Sequence, residues 1–203
     1  MANLTRRTIL LGCLSGLSGC SALSVLSEAS APLDTFELQP AAETTRGGRT
    51  SRTLLVARPQ ASAALATDRI MIKPDPAVIT YLPDARWSDE MPAMVQTLLI
   101  RSISATGRVA YVGRSDAGPV PDKALLVRVD AFEVAAQGGG TFDVRVSIEL
   151  TMINDRDQRV IGTRSFVQTE TLATDDTRAI VAAFQTVMDA LLPQMSDWAI
   201  GRV

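Results

Sequence analysis

From Phe142 to Ile153 apolar and polar side chains alternate almost without a miss. Phe142, Val144, Val146, Ile148, Leu150 and Met152 fall on one side, and Asp143, Arg145, Ser147, Glu149, Thr151 and Ile153 on the other. Successive strand residues point to opposite faces, so the pattern predicts a strand with one buried and one wet face. Leu125, Val127 and Val129 alternate in the same way with Leu126, Arg128 and Asp130, ahead of a Gly138-Gly139-Gly140 turn. Asn154-Asp155-Arg156-Asp157 then turns the chain into a third strand, Arg159 to Glu170. These three long strands make an antiparallel meander.

Two segments have a helical period instead. Met91, Met94, Val95, Leu98, Leu99, Ser102 and Ile103 form one apolar stripe, with Asp89 as the expected N-cap and Pro92 in the first turn. Ile180, Ala183, Phe184, Val187, Met188, Leu191, Met195 and Trp198 form another, capped by Asp175 or Asp176 and interrupted by Pro193. Shorter strands are expected at Thr53 to Ala57, Arg69 to Lys73, Val78 to Leu82 and Val109 to Val112, with a helical turn or two at Ala61 to Ala66. The predicted fold class is α+β, a mainly antiparallel sheet with two amphipathic helices packed on one face.

The first twenty residues follow a different logic. Arg6 and Arg7 precede Thr8 to Gly19, a run of apolar and small residues too short to span a bilayer of ~30 Å. That is the layout of a cleaved export signal. Leu17-Ser18-Gly19-Cys20 resembles the lipobox of bacterial lipoproteins, in which the cysteine thiol accepts the lipid and becomes the first mature residue. Leu10-Leu11-Gly12-Cys13 competes, but leaves an apolar core of only about five residues, below the usual 7–15. Cys20 is therefore the expected lipidation site. Thr5 to Leu10 also resembles a twin-arginine motif, so the export route stays open. The expected organisation is a signal peptide at 1–19, a lipidated cysteine with its tether at 20–35, and one periplasmic α+β domain at 36–203. Ser21, rather than an aspartate, follows the cysteine, and the general sorting rule for such lipoproteins then favours the outer membrane.

Composition narrows the chemistry. The chain has 20 Lys+Arg against 22 Asp+Glu and no histidine. A Ser-His-Asp or Cys-His centre is therefore excluded, as is a His-ligated metal, and the mildly acidic balance argues against nucleic acid. Asp155 and Asp157 are spaced as in a calcium loop, but the twelfth position is Phe166 where a bidentate Glu is needed. Ser115 lies in a segment one residue too long for a GxSxG elbow. Arg46-Gly47-Gly48-Arg49 lacks the rest of a phosphate-binding loop. Asp89 with Glu90 and Asp175 with Asp176 sit at helix starts, where they complement the helix dipole. No catalytic, metal or cofactor-binding residue is expected. Trp198 lies on a helix stripe and reads as core. Trp87, just ahead of the first helix, could staple that helix or anchor a partner, and is the candidate partner contact.

Phe36-Glu37-Leu38, Leu54-Leu55-Val56-Ala57-Arg58-Pro59 and Leu65-Ala66-Thr67-Asp68-Arg69-Ile70 are followed by Tyr81-Leu82-Pro83-Asp84-Ala85-Arg86-Trp87 and by the strand Leu125 to Phe132. Together with the lipobox, these segments resemble the ABC-type transport auxiliary lipoproteins, the PqiC-like family. Phe36 departs from the pattern, where a tyrosine is expected. The resemblance implies a non-catalytic, periplasm-facing lipoprotein working with an MCE-domain protein and an ABC transporter ATPase and permease that move phospholipids or other hydrophobic substrates. It also implies a homo-oligomeric ring. The competing readings are a lipid-anchored hydrolase using carboxylates and a purely structural envelope lipoprotein.

Overall fold

The computed structural model describes residues 33–41, 47–114 and 118–203. Cys20 and Ser115 lie outside them. Among the described residues the order is β1 (Asp34–Phe36), β2 (Thr50–Val56), β3 (Gln60–Ala61), β4 (Arg69–Asp75), β5 (Val78–Trp87), α1 (Met91–Ala105), β6 (Val109–Gly113), β7 (Lys123–Gly138), β8 (Thr141–Asn154), β9 (Val160–Leu172) and α2 (Thr177–Ile200). The first strand thus begins two residues ahead of Phe36.

β7, β8 and β9 form the expected meander, with Ile148 opposite both Val129 and Phe166. The hairpin between β7 and β8 needs three consecutive positive φ values, +85°, +62° and +78° at Gly138, Gly139 and Gly140. Only glycine takes that backbone without a steric penalty.

The other edge of β7 corrects the predicted class. β2, β3 and β4 pair with it one after another, and all three run parallel to it, at Lys123 to Leu125, Arg128 to Val129 and Glu133 to Ala135. β6 is parallel to β2 and β1 is parallel to β5. The nine strands therefore form one mixed sheet, not a mainly antiparallel one. Hydrophobic alternation says which face a residue takes and nothing about the direction of its neighbour. The parallel pairings here join only two to four residue pairs each, too few to leave a directional signal in the sequence.

β7 also changes phase. Leu125, Val127 and Val129 are buried on the inner face, but beyond them Phe132 and Val134 take over. The register slips between Val129 and Ala131, which leaves Asp130 as an extra, exposed residue. Such a bulge moves every later side chain to the opposite face, which is what turns Phe132 inward.

Both helical stripes are buried as predicted, from Met91 to Ile103 and from Ile180 to Trp198. α2 packs on β8 and β9 and touches α1, which also packs on β6 and β2. Asp176 caps α2 by accepting a hydrogen bond from the Ala179 N–H at 2.9 Å, and the helix continues through Pro193. The cap of α1 is Glu90 rather than Asp89, and it makes no side-chain capping bond. Asp89 Oδ1 instead accepts from the Glu90 N–H at 2.8 Å, and the Met91 N–H donates back to Thr67 O at 3.0 Å.

Candidate functional site

The outer face of the meander carries rows of polar side chains. Its rows follow from cross-strand pairing. Arg128 lies opposite Glu149, which lies opposite Ser165, and the neighbouring row is Leu126, Thr151 and Thr163. Each polar group in these rows has a partner. Arg128 donates from Nε to Asp130 Oδ1 at 2.8 Å and pairs through Nη1 with Glu149 Oε1 at 2.7 Å. The hydrogen bond to Asp130, followed by the charges of Asp130 and Glu149, raises the Arg128 pKa and keeps the guanidinium charged. The Thr151 and Thr163 hydroxyls share a bond of 3.0 Å, and Thr171 donates to Asp143 at 2.7 Å. Of the six residues expected on the wet face, Arg145 is exposed, Asp143, Glu149 and Thr151 are half-buried, and Ser147 and Ile153 are buried.

Where β3 pairs with β7 this face holds a shallow groove of about 200 Å³, lined by Arg58, Gln60, Leu126, Arg128, Glu149 and Thr151. Arg58 is paired with Glu90, so both guanidinium groups at the groove are already neutralised by carboxylates. Deeper in the sheet, Lys73 pairs with the buried Glu133 at 2.9 Å.

A second cavity, of about 440 Å³, opens at the end of the sheet between Arg52, Val120, Pro121, Asp122, Asn154 and Arg156. Asp122 fastens this end. Its Oδ2 accepts from the Thr53 N–H at 2.8 Å and from the Thr53 hydroxyl at 3.1 Å. These bonds, the backbone one first, hold the Asp122 carboxyl below its ordinary value of 3.8. A carboxylate stabilised in its charged form is a poor proton donor at neutral pH.

Three members of the acidic pairs weighed from sequence have partners. Glu90 pairs with Arg58, and Asp89 and Asp176 serve helix starts. Asp155 and Asp157 shape the β8–β9 turn, where Asp157 Oδ1 accepts from the Arg159 N–H at 3.2 Å. No group of three acidic, cysteine or histidine side chains converges on a metal-sized space among the described residues.

Trp87 is placed differently from the partner contact considered for it. The side chain is 1% exposed and forms an aromatic cluster with Phe132 of β7 and Phe184 of α2. In the single chain its ring has no surface left for a partner. The signal was legible in the alternation of Ala85, Arg86 and Trp87, whose small and aromatic members point inward together. The Arg128 network was not singled out from sequence, although charges at Arg128 and Asp130 opposite Glu149 carry it.

No helix among the described residues is long and apolar enough to cross a membrane. The fold resembles a crystal structure of a Xanthomonas campestris protein of the DUF330 family, with a TM-score of 0.75, 22% identity, and coverage of 83% of this chain and 96% of that one. A hypothetical protein of Chlamydia trachomatis has a TM-score of 0.52 at 7% identity, over 75% of this chain and 98% of that one. An uncharacterised protein of Bradyrhizobium diazoefficiens is 30% identical over 168 residues, which is 80% of this chain but only 42% of that protein's length. The model of the ABC-type transport auxiliary lipoprotein component family matches residues 35–196, nearly the whole described domain, and the chain belongs to that family.

Proposed function

We propose that the protein is anchored by a lipid on Cys20 to the outer membrane, faces the periplasm, and serves as a non-catalytic accessory of an MCE-type ABC transporter. The transporter would move phospholipids or other hydrophobic substrates across the envelope. Membership of the auxiliary lipoprotein family supports the accessory role, and the Leu17 to Cys20 motif supports the anchor. The observation that carries the reading is the family match across residues 35–196. The way the polar groups are used supports a binding role over chemistry. On the outer face Arg128 is paired with Asp130 and Glu149, and the one carboxyl pKa displaced among the described residues, at Asp122, is displaced downward by Thr53.

Self-association into a ring is part of the proposal. β9 pairs with β8 along one side only, and no described strand covers its other edge. An uncovered edge is a template for a second chain. Epistasis tests the function. Deleting this gene and deleting the genes for the ATPase, permease or MCE protein should give the same envelope-permeability defect, and the double deletion should be no worse than either. An additive defect would place the protein outside that system.

A further inference from the structure

The two ends of the sheet differ in charge, and the difference is built into its hairpins. β4 and β5 turn at Pro76-Ala77, and β7 and β8 turn at Gly139-Gly140. Because β4 runs parallel to β7, with Lys73 level with Ala135, both turns project from the same end. From Pro74 to Thr80 every residue is exposed, Val78 by 49% and Ile79 by 48%. Neither Pro76 to Thr80 nor Gln137 to Thr141 contains a charged side chain. At the opposite end, where β7 and β9 start and β8 stops, stand Arg52, Asp122, Lys123, Asp155, Arg156 and Arg159.

The direction of the first strand adds a second observation. β1 is parallel to β5, β5 is antiparallel to β4, and β4 is parallel to β7. β1 therefore runs in the direction that leads away from those hairpin tips, although it lies beside the far end of β5. Asp34 is level with Ala85, seven residues of β5 from Val78, or about 23 Å at the usual strand rise. The chain from Cys20 to Asp34 reaches up to about 48 Å at full extension, so it can span that distance. A hairpin tip of Pro, Ala, Val and Ile is a poor match for water, where turns are normally Asn, Asp, Ser and Gly.

We propose that the end carrying these two uncharged hairpin tips rests on the lipid surface that holds the anchor, with Val78 and Ile79 among the headgroups and the opposite end directed away from the membrane. The proposal rests on the lipid attachment at Cys20. Charges flanking the tips are Asp75, whose carboxylate accepts from the Ala77 N–H at 3.0 Å, and Asp175, Asp176 and Arg178 at the start of α2. They sum to a net negative charge. The matching surface is therefore zwitterionic, and anionic lipid weakens the contact.

The test uses the lipidated protein carrying Ile79→Cys, which would hold the sole free thiol if Cys20 is acylated and Cys13 removed with the signal. A polarity-sensitive fluorophore is attached, and the protein is reconstituted into phosphatidylethanolamine–phosphatidylcholine vesicles containing a headgroup nitroxide lipid. The probe at position 79 should shift to the blue and be quenched. The same probe at Asp157→Cys should stay aqueous and unquenched. Replacing part of the phosphatidylcholine with phosphatidylglycerol should reduce quenching at position 79. Co-flotation with an unquenched probe at position 79 overturns the proposal while leaving the anchor intact. A blue shift without lipid quenching also overturns it, and assigns the tip to a protein neighbour. Failure to co-float refutes the anchor at Cys20, and the proposal with it.

Discussion

Trp87 meets Phe184 edge-on, with ring centroids 5.3 Å apart and planes at 89°. This contact ties the end of β5, and through it β1, to the N-terminal third of α2. Phe132 completes the cluster, stacked on Phe184 at 4.8 Å. The bulge at Asp130 is what turns Phe132 toward that cluster, so sheet register and helix docking are set at the same place.

Trp87→Ala should therefore destabilise the domain by about 3–5 kcal/mol, the usual cost of emptying a buried aromatic site, with Trp87→Phe costing less. Urea denaturation of both variants measures it. A loss below about 1 kcal/mol would remove Trp87 from the core and return it to the list of surface contacts.

Asp122 predicts a pH dependence. Its folded pKa is lowered below 3.8 by the Thr53 bonds. The stability it adds is complete above the unfolded value and is lost as pH falls through the folded one. The denaturation midpoint of Asp122→Asn should lie below that of the parent at pH 7, and the difference should shrink below pH 3.8. A difference that stays constant down to pH 2 would show that the carboxylate charge contributes nothing.

Glu133 is 6% exposed and depends on Lys73 for its counter-charge. Lys73→Met leaves that carboxylate buried beside Arg145 alone, and should cost about 1–3 kcal/mol. Adding Glu133→Gln should recover part of the loss. Chemical denaturation of the two single variants and the double gives the coupling, and strict additivity would show that the pair does not interact.

Gly139→Ala puts a side chain at a φ of +62° in open space. Only the backbone penalty remains, so the variant should lose about 1 kcal/mol in thermal or urea denaturation. An unchanged stability would mean that the β7–β8 turn tolerates another backbone path.

Much of this was readable from the chain. The strands of the meander, both helix faces and the glycine turn follow from periodicity, because burial of one face fixes where apolar side chains fall. The pairing direction around β7 did not follow. It depends on contacts such as Leu54 with Lys123 and Met71 with Glu133, which are remote in sequence and only a few residues long. The switch from Val129 to Phe132 as inward residues did not follow from the alternation, and the slipped register explains it. Glu90 displaces Asp89 as the cap of α1 because the Met91 N–H is already held by Thr67 O, which sets the start of the helix from outside it. Asp122 could not be found from local pattern, since its partner Thr53 belongs to a strand 69 residues away.

The most direct measurement is affinity isolation of the tagged, lipidated protein from detergent-solubilised envelopes, compared with its Cys20→Ser variant. An accessory of the proposed system should bring down the ATPase, permease and MCE protein together, and the variant, lacking acyl label, should lose them. Isolation of the acylated protein with none of the three would contradict the account.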